Sequence, residues 1–189
     1  MLVISCHADT CFREHRLDRR EDGTVCGHLD NFAGVHAVML AYFSGRLPTK
    51  GIRIELTYGE ETGFAGAYEV LHTLRGWDVV IVVDVSGTPT DKDFVVEKCS
   101  HPRMREFVQQ SLAGMSYDFC TDCPDPVMSV DETDVYRDAC PMTCFLGVPV
   151  IGGDYNRDVV SCKVQSVQGV AEALCRLAQG WAAGYADAR

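Results

Sequence analysis

The chain has 189 residues, 47% of them hydrophobic and 23% charged, and a formal net charge of −10. That length suffices for one domain with a sizeable core, and the acidic balance excludes the basic footprint that a nucleic-acid binder needs. No apolar run is long enough to span a bilayer, and the start Met1-Leu2-Val3-Ile4-Ser5-Cys6-His7 lacks the basic and extended apolar regions of a secretory leader.

Strand and helix patterns alternate along the chain. Leu2 to Cys6 is an apolar strand. Phe12 to Val25 is charged and holds the turn signal Glu21-Asp22-Gly23, which predicts an exposed hairpin or loop. A helix is expected from Asn31 to Phe43, with Phe32, Val35, Val38 and Leu40 available to the core. Strand Ile52 to Thr57 follows, then a helix from Gly63 to Leu74 with Ala67, Val70, Leu71 and Leu74 at helical spacing. Val79 to Asp84 is almost continuously apolar, as in a strand covered on both faces. Asp93 to Lys98 reads as a strand, and Pro102 to Ala113 as a helix with proline at its first position. Asp122 to Asp131 reads as a loop, Glu132 to Ala139 as a short helix and Met142 to Leu146 as a strand. Val164 to Ala183 closes the chain as an amphipathic helix through Val167, Val170, Leu174, Leu177 and Trp181. The alternation predicts an α/β fold, a three-layer α/β/α sandwich around a mixed, mainly parallel sheet. Neither repeats nor a domain boundary interrupt it, so residues 1–189 read as a single domain.

The ten cysteines read as reduced thiols of a cytoplasmic protein, mostly small apolar fillers. Cys120-Thr-Asp-Cys123 with Cys140 and Cys144 has the spacing of a structural zinc site. Against it, Cys144 lies within the apolar strand Met142 to Leu146.

Acid-bearing motifs stand where strands stop: His7-Ala8-Asp9, Leu29-Asp30-Asn31, Gly59-Glu60-Glu61-Thr62-Gly63, and Asp84. Parallel sheets gather ligand sites at the carboxyl ends of their strands. A histidine and several carboxylates there suit divalent metals. In His7-Ala8-Asp9 the imidazole can bind metal while Asp9 orients it through the other ring nitrogen, or the two are a surface pair. Asp30 can bridge two metals or simply cap a helix. Of the adjacent acids Glu60 and Glu61, one can ligate while the other acts as general base, extended neighbours pointing to opposite sides. The alternative is a solvated acidic loop. Asp84 follows five apolar residues and needs a partner, a metal, a salt bridge or a helix end.

Taken together, these positions resemble the co-catalytic di-zinc aminopeptidases and their carboxypeptidase and deacylase relatives. The likeness is greatest to the cytosolic deblocking or glutamyl aminopeptidases that form tetrahedral assemblies. It rests on His7-Ala8-Asp9, Gly27-His28-Leu29-Asp30-Asn31-Phe32-Ala33-Gly34, Glu60-Glu61-Thr62-Gly63-Phe64-Ala65-Gly66-Ala67 and Asp84. The resemblance implies that His7 and Asp84 hold one metal, Asp30 bridges two, Glu61 holds the second, Glu60 is the general base and Asp9 orients His7. Two departures stand out. The family's metal set usually ends with a histidine, and a gapless match of Pro149 to Val160 puts Asp154 in that place and Asp158 in that of a following glutamate. Asp154 as a fifth ligand would add a fourth carboxylate and shift preference from zinc toward manganese, cobalt or magnesium. Asp9 and Asp30 are also only 21 positions apart, too few for the domain that the assembling relatives insert there.

These observations lead to a metal-dependent amide hydrolase, aminopeptidase-like, with two divalent metal ions and Glu60 as base. Its substrate is a peptide or an N-acyl amino acid; it has no nucleic-acid or membrane partner, and any oligomer forms without the inserted domain. One alternative is an N-acyl amino acid deacylase or carboxypeptidase-type hydrolase, for which Arg137 or Arg157 would hold the substrate carboxylate. The other is a non-catalytic metal-binding descendant.

Overall fold

A computed structural model describes residues 1–127 and 130–185 of the chain. Three strands that read as apolar runs form the centre of the sheet: β1 (Leu2–His7), β5 (Val79–Ser86) and β8 (Thr143–Pro149). Every residue of β1 and β5 is buried, because helices cover both faces. With β4 (Ile52–Thr57), β6 (Phe94–Glu97) and β7 (Tyr117–Phe119) they make a six-stranded sheet in the order β4-β1-β5-β8-β6-β7. All pairings are parallel except β6 with β8. The fold is the expected α/β sandwich around a mixed, mainly parallel sheet.

One face of the sheet carries the main core beneath α1 (Phe32–Phe43), α3 (Pro102–Ser111) and α5 (Val164–Gly180). The other carries a smaller core of Val3, Val80, Val82 and Phe145 beneath α2 (Ala65–Leu71) and α4 (Glu132–Tyr136). The charged segment after β1 is a hairpin, as expected: β2 (Leu17–Arg19) pairs antiparallel with β3 (Thr24–Gly27). Strand β9 (Val160–Lys163), which no sequence pattern marked, extends this hairpin into a second, three-stranded sheet. The loop at 122–131 is seen as such except at 128 and 129, which lie outside the described residues.

Helix α1 departs from its expected orientation. Ala33, Gly34, Ala37, Val38 and Ala41 form its buried face, while Phe32 and Leu40 stay about two-fifths exposed. The small residues allow close approach to α5 and β5, and the large ones are left outside. Helix α2 is shorter than its pattern, because Gly63 (φ 138°) and Phe64 (φ 62°) hold non-helical backbone and its last expected turn is not α-helical. The zinc reading of the cysteines is not supported. Cys140 packs in the smaller core and Cys144 in the main one, on opposite faces of the sheet.

Candidate metal centre

Parallel pairing brings three chain-distant segments to one edge. His7, the last residue of β1, pairs with Thr57, the last of β4, three positions before Glu60. The register of β1 on β5 is offset by 77 from Leu2↔Val79 to Ser5↔Val82, and continued it sets His7 level with Asp84. Asp84 thus lies inside β5, two residues short of its end, rather than at the strand's last position. His7 Nε2 is 3.1 Å from Asp84 Oδ2 and 3.2 Å from Asp30 Oδ1, and His7 Nδ1 is 3.5 Å from Asp9 Oδ1.

The helix start supplies Asp30. Asn31, not Asp30, is the N-cap of α1: its Oδ1 accepts from Gly34 N at 3.0 Å. Its Nδ2 donates to the Val83 carbonyl at 2.8 Å and so ties the helix start to β5 beside Asp84. This leaves the Asp30 carboxylate free to face His7. Gly34 is required for the arrangement, since a Cβ there would lie 2.1 Å from Asn31 Oδ1. Glu60 and Glu61 sit in a 3₁₀ turn, Glu60–Thr62, between Gly59 (φ 72°) and Gly63. The backbone is therefore not extended, and the alternation argument does not apply to this pair. Both acids reach the same place: one donor atom each from His7, Glu60 and Glu61 lies within 4.8 Å of the others, and so do donors of His7, Asp30 and Asp84.

The electrostatics are those of crowded acids around one ring. Burial, reinforced by Asp84, Asp30 and Glu61, pushes Glu60 up to about 8 despite His7. Burial and Asp30 push Asp84 up to about 7, again opposed by His7. Burial also raises Glu61, with Asp30 adding to it. Burial disfavours a charged His7, yet Asp84, Asp30 and Asp9 overcome it and raise its affinity for a proton far above the ordinary value. The His7 ring in turn holds Asp9 below the ordinary carboxylate range. Three buried atoms, His7 Nδ1, Asp9 Oδ1 and Asp30 Oδ1, have no hydrogen-bond partner. Buried polar atoms are nearly always paired, so these orphans call for an explanation. One imidazole and several carboxylates around such atoms form a donor set that fits divalent cations.

Asp154 is not brought into either group. Its Oδ1 accepts from the backbone and side-chain nitrogens of Asn156 at 3.0 and 3.3 Å, and its Oδ2 lies 3.5 Å from Arg157 Nε. The carboxylate therefore caps its own turn. Arg157 is spent on that contact at the surface, Arg137 pairs with Asp134, and neither lines the cleft.

That cleft has a volume of about 340 Å³ and opens over Asp30, Glu60, Glu61 and Asp84. Phe64, Val127, Val130, Asp131, Tyr155 and Asn156 also line it, and sequence reasoning assigned none of these a role. The signals among them were the place of Phe64 inside the motif Glu60 to Ala67 and of Tyr155 and Asn156 inside the aligned stretch Pro149 to Val160. At the rim, Cys11 N donates to Glu61 Oε1 at 3.3 Å.

No family model matches the chain, and no curated protein matches it. Solved structures do. A TET aminopeptidase from a marine sediment archaeon of the Thaumarchaeota superposes with a TM-score of 0.67 at 16% identity over 86% of this chain and 51% of its own. An aminopeptidase from the archaeon Desulfurococcus kamchatkensis gives 0.64 at 13% over 86% and 51%, and an M18-family aminopeptidase from Thermotoga maritima 0.64 at 14% over 87% and 48%. The chain shares the fold of these aminopeptidases and spans about half their length.

Proposed function

We propose that the chain is a metal-dependent amide hydrolase of the aminopeptidase kind, with its catalytic centre at the carboxyl ends of β1, β4 and β5. The observation that carries this reading is the convergence of His7, Asp30, Asp84, Glu60 and Glu61 within one fold shared with aminopeptidases. His7 and Asp84 would hold one divalent ion, Glu61 the second, and Asp30 would serve both. Bound there, such ions supply Lewis acidity that polarises an amide carbonyl and acidifies a water. With Asp154 outside the group, three carboxylates face the four positive charges of two divalent ions and leave one in excess, a balance that suits zinc; manganese, cobalt or magnesium remain compatible with oxygen-rich donors.

The protein's own groups do the rest. Glu60 takes the proton of the attacking water and returns it to the leaving amine, a task open to a carboxylate that lines the cleft beside His7 and Glu61. Asp9 orients His7 through Nδ1. The whole chain would act as one catalytic domain, with the β2–β3 hairpin standing where assembling relatives insert a domain. Its substrate would be a peptide with a free amino terminus. The deacylase alternative is weakened by the arginines, both held outside the cleft. The turn-bound Asp154 favours the non-catalytic alternative. Aminoacyl p-nitroanilide turnover, with metal content of the purified chain, tests the proposal: about two divalent ions per chain and turnover that a chelator abolishes are expected. A metal-bound chain inert on every aminoacyl substrate would leave the non-catalytic reading.

A further inference from the structure

The cleft divides by chemistry. Its floor is acidic, and Phe64, Val127 and Val130 add an apolar lining. Val130 is 55% exposed although apolar, so that lining has surface left to cover. Hydrogen bonds and an ion pair flank Val127 and Val130. Buried Asp125 accepts from Gly87 N at 2.7 Å, from Val127 N at 2.8 Å and from the Tyr155 hydroxyl at 3.0 Å. One residue beyond Val130, Asp131 caps α4 and pairs with Lys98 Nζ at 2.8 Å, which also reaches Asp134 at 2.7 Å. Phe64 stands in left-handed backbone at the start of α2, an uncommon state for a large residue.

No lysine or arginine is among the described residues lining the cleft. A charged side chain laid against Phe64, Val127 and Val130 would leave water and meet no lysine or arginine among the described lining residues, which is costly. We infer that Phe64, Val127 and Val130 form the subsite for the side chain of the substrate's first residue, and that this subsite takes apolar side chains and rejects acidic ones. The inference rests on the aminopeptidase reading for which group of the substrate lies there. It sets this chain apart from a glutamyl-type specificity.

The test separates binding from turnover. The metal-loaded full chain is titrated calorimetrically with L-leucine, L-glutamate and L-lysine, and turnover of the leucyl and glutamyl p-nitroanilides is measured in parallel. Leucine should bind at least about tenfold more tightly than either charged amino acid. Val130→Lys should narrow or reverse the leucine-to-glutamate ratio with metal content unchanged, and Val130→Leu should preserve it. Glutamate or lysine binding as well as leucine, no binding of any of the three, or an unchanged ratio in Val130→Lys overturns the subsite. Leucine-selective binding without turnover supports the subsite and removes the hydrolase reading instead. Turnover with glutamyl substrate preferred keeps the hydrolase and overturns the subsite.

Discussion

Two sets of carboxylates lie against this sheet, and they are treated in opposite ways. Glu132 is buried and fully served: Ser5 Oγ donates to it at 2.6 Å, Thr57 Oγ1 donates to its other oxygen, and Tyr136 hydroxyl joins Ser5 at 2.9 Å. Glu97 is likewise met by the Ser86 and Thr88 hydroxyls and the Cys123 thiol. Only a few ångströms along β1 from Ser5, the acids around His7 crowd one another and leave three buried atoms without a hydrogen bond. A hydroxyl is a neutral donor that satisfies an acid where it stands, whereas like charges set together need a cation. The difference separates acids that hydroxyls satisfy from acids that, on the proposed reading, face a cation.

The largest effect that can sharpen this contrast is at Glu60. Glu60→Gln should cut turnover by roughly 10²–10⁴ while bound metal stays unchanged. Loss of metal instead would make Glu60 a ligand and exchange its role with that of Glu61. Next comes a matched pair. Asp84→Asn should weaken metal binding by at least the roughly 10–100-fold that losing an outer partner costs, and the metal-free variant should be no less stable than the parent, because one of the crowded acids is gone. Glu132→Gln should do the reverse: metal affinity is retained, and stability falls by about 1–3 kcal/mol as its hydroxyl donors lose an acceptor. If both variants behave alike, in metal titration and in urea denaturation, the distinction between the two sets fails.

Metal itself should act on one set only. A divalent ion at about 100 times its dissociation constant should raise stability by about 2.7 kcal/mol, with no such gain in Asp84→Asn; an equal gain in both would place the ion elsewhere. Smaller still is Gly34→Ala, where the added Cβ collides with Asn31 Oδ1. Overpacking of this kind costs about 1–3 kcal/mol, and metal occupancy should fall with it because Asn31 ties the start of α1 to Val83. The smallest effect is expected at Asp154→Ala, about 0.5–1.5 kcal/mol from lost turn hydrogen bonds with metal stoichiometry unchanged. If that variant loses a metal ion, Asp154 reaches the centre after all.

The sequence alone determined the sheet's centre and the identity of the clustered acids. The runs Leu2–Cys6 and Val79–Val83 can be apolar without alternation only if both faces are covered, and local pattern suffices to say so. His7, Asp30, Glu60, Glu61 and Asp84 were legible because strand ends in such a sheet share an edge, and because their motifs stand in a recognisable order. The tertiary structure alone decided the remainder. Whether Asp30 or Asn31 caps α1 depends on a contact with Val83, 52 residues away. The large residues of α1 face outward because the neighbouring α5 and β5 leave room only for small ones, which periodicity within α1 does not reveal. Strand β9 is a strand because β3 offers it an edge. Asp154 matches a ligand position in sequence, yet its own turn claims the carboxylate through neighbours two and three residues on. Val127 and Val130 reach the cleft beside two long-range pairings, Asp125 with Tyr155 and Asp131 with Lys98, whose members come from separate parts of the chain. Local backbone preference and burial are written in short windows of sequence; the pairing of a polar group with a distant partner is not, and that pairing is what makes a site.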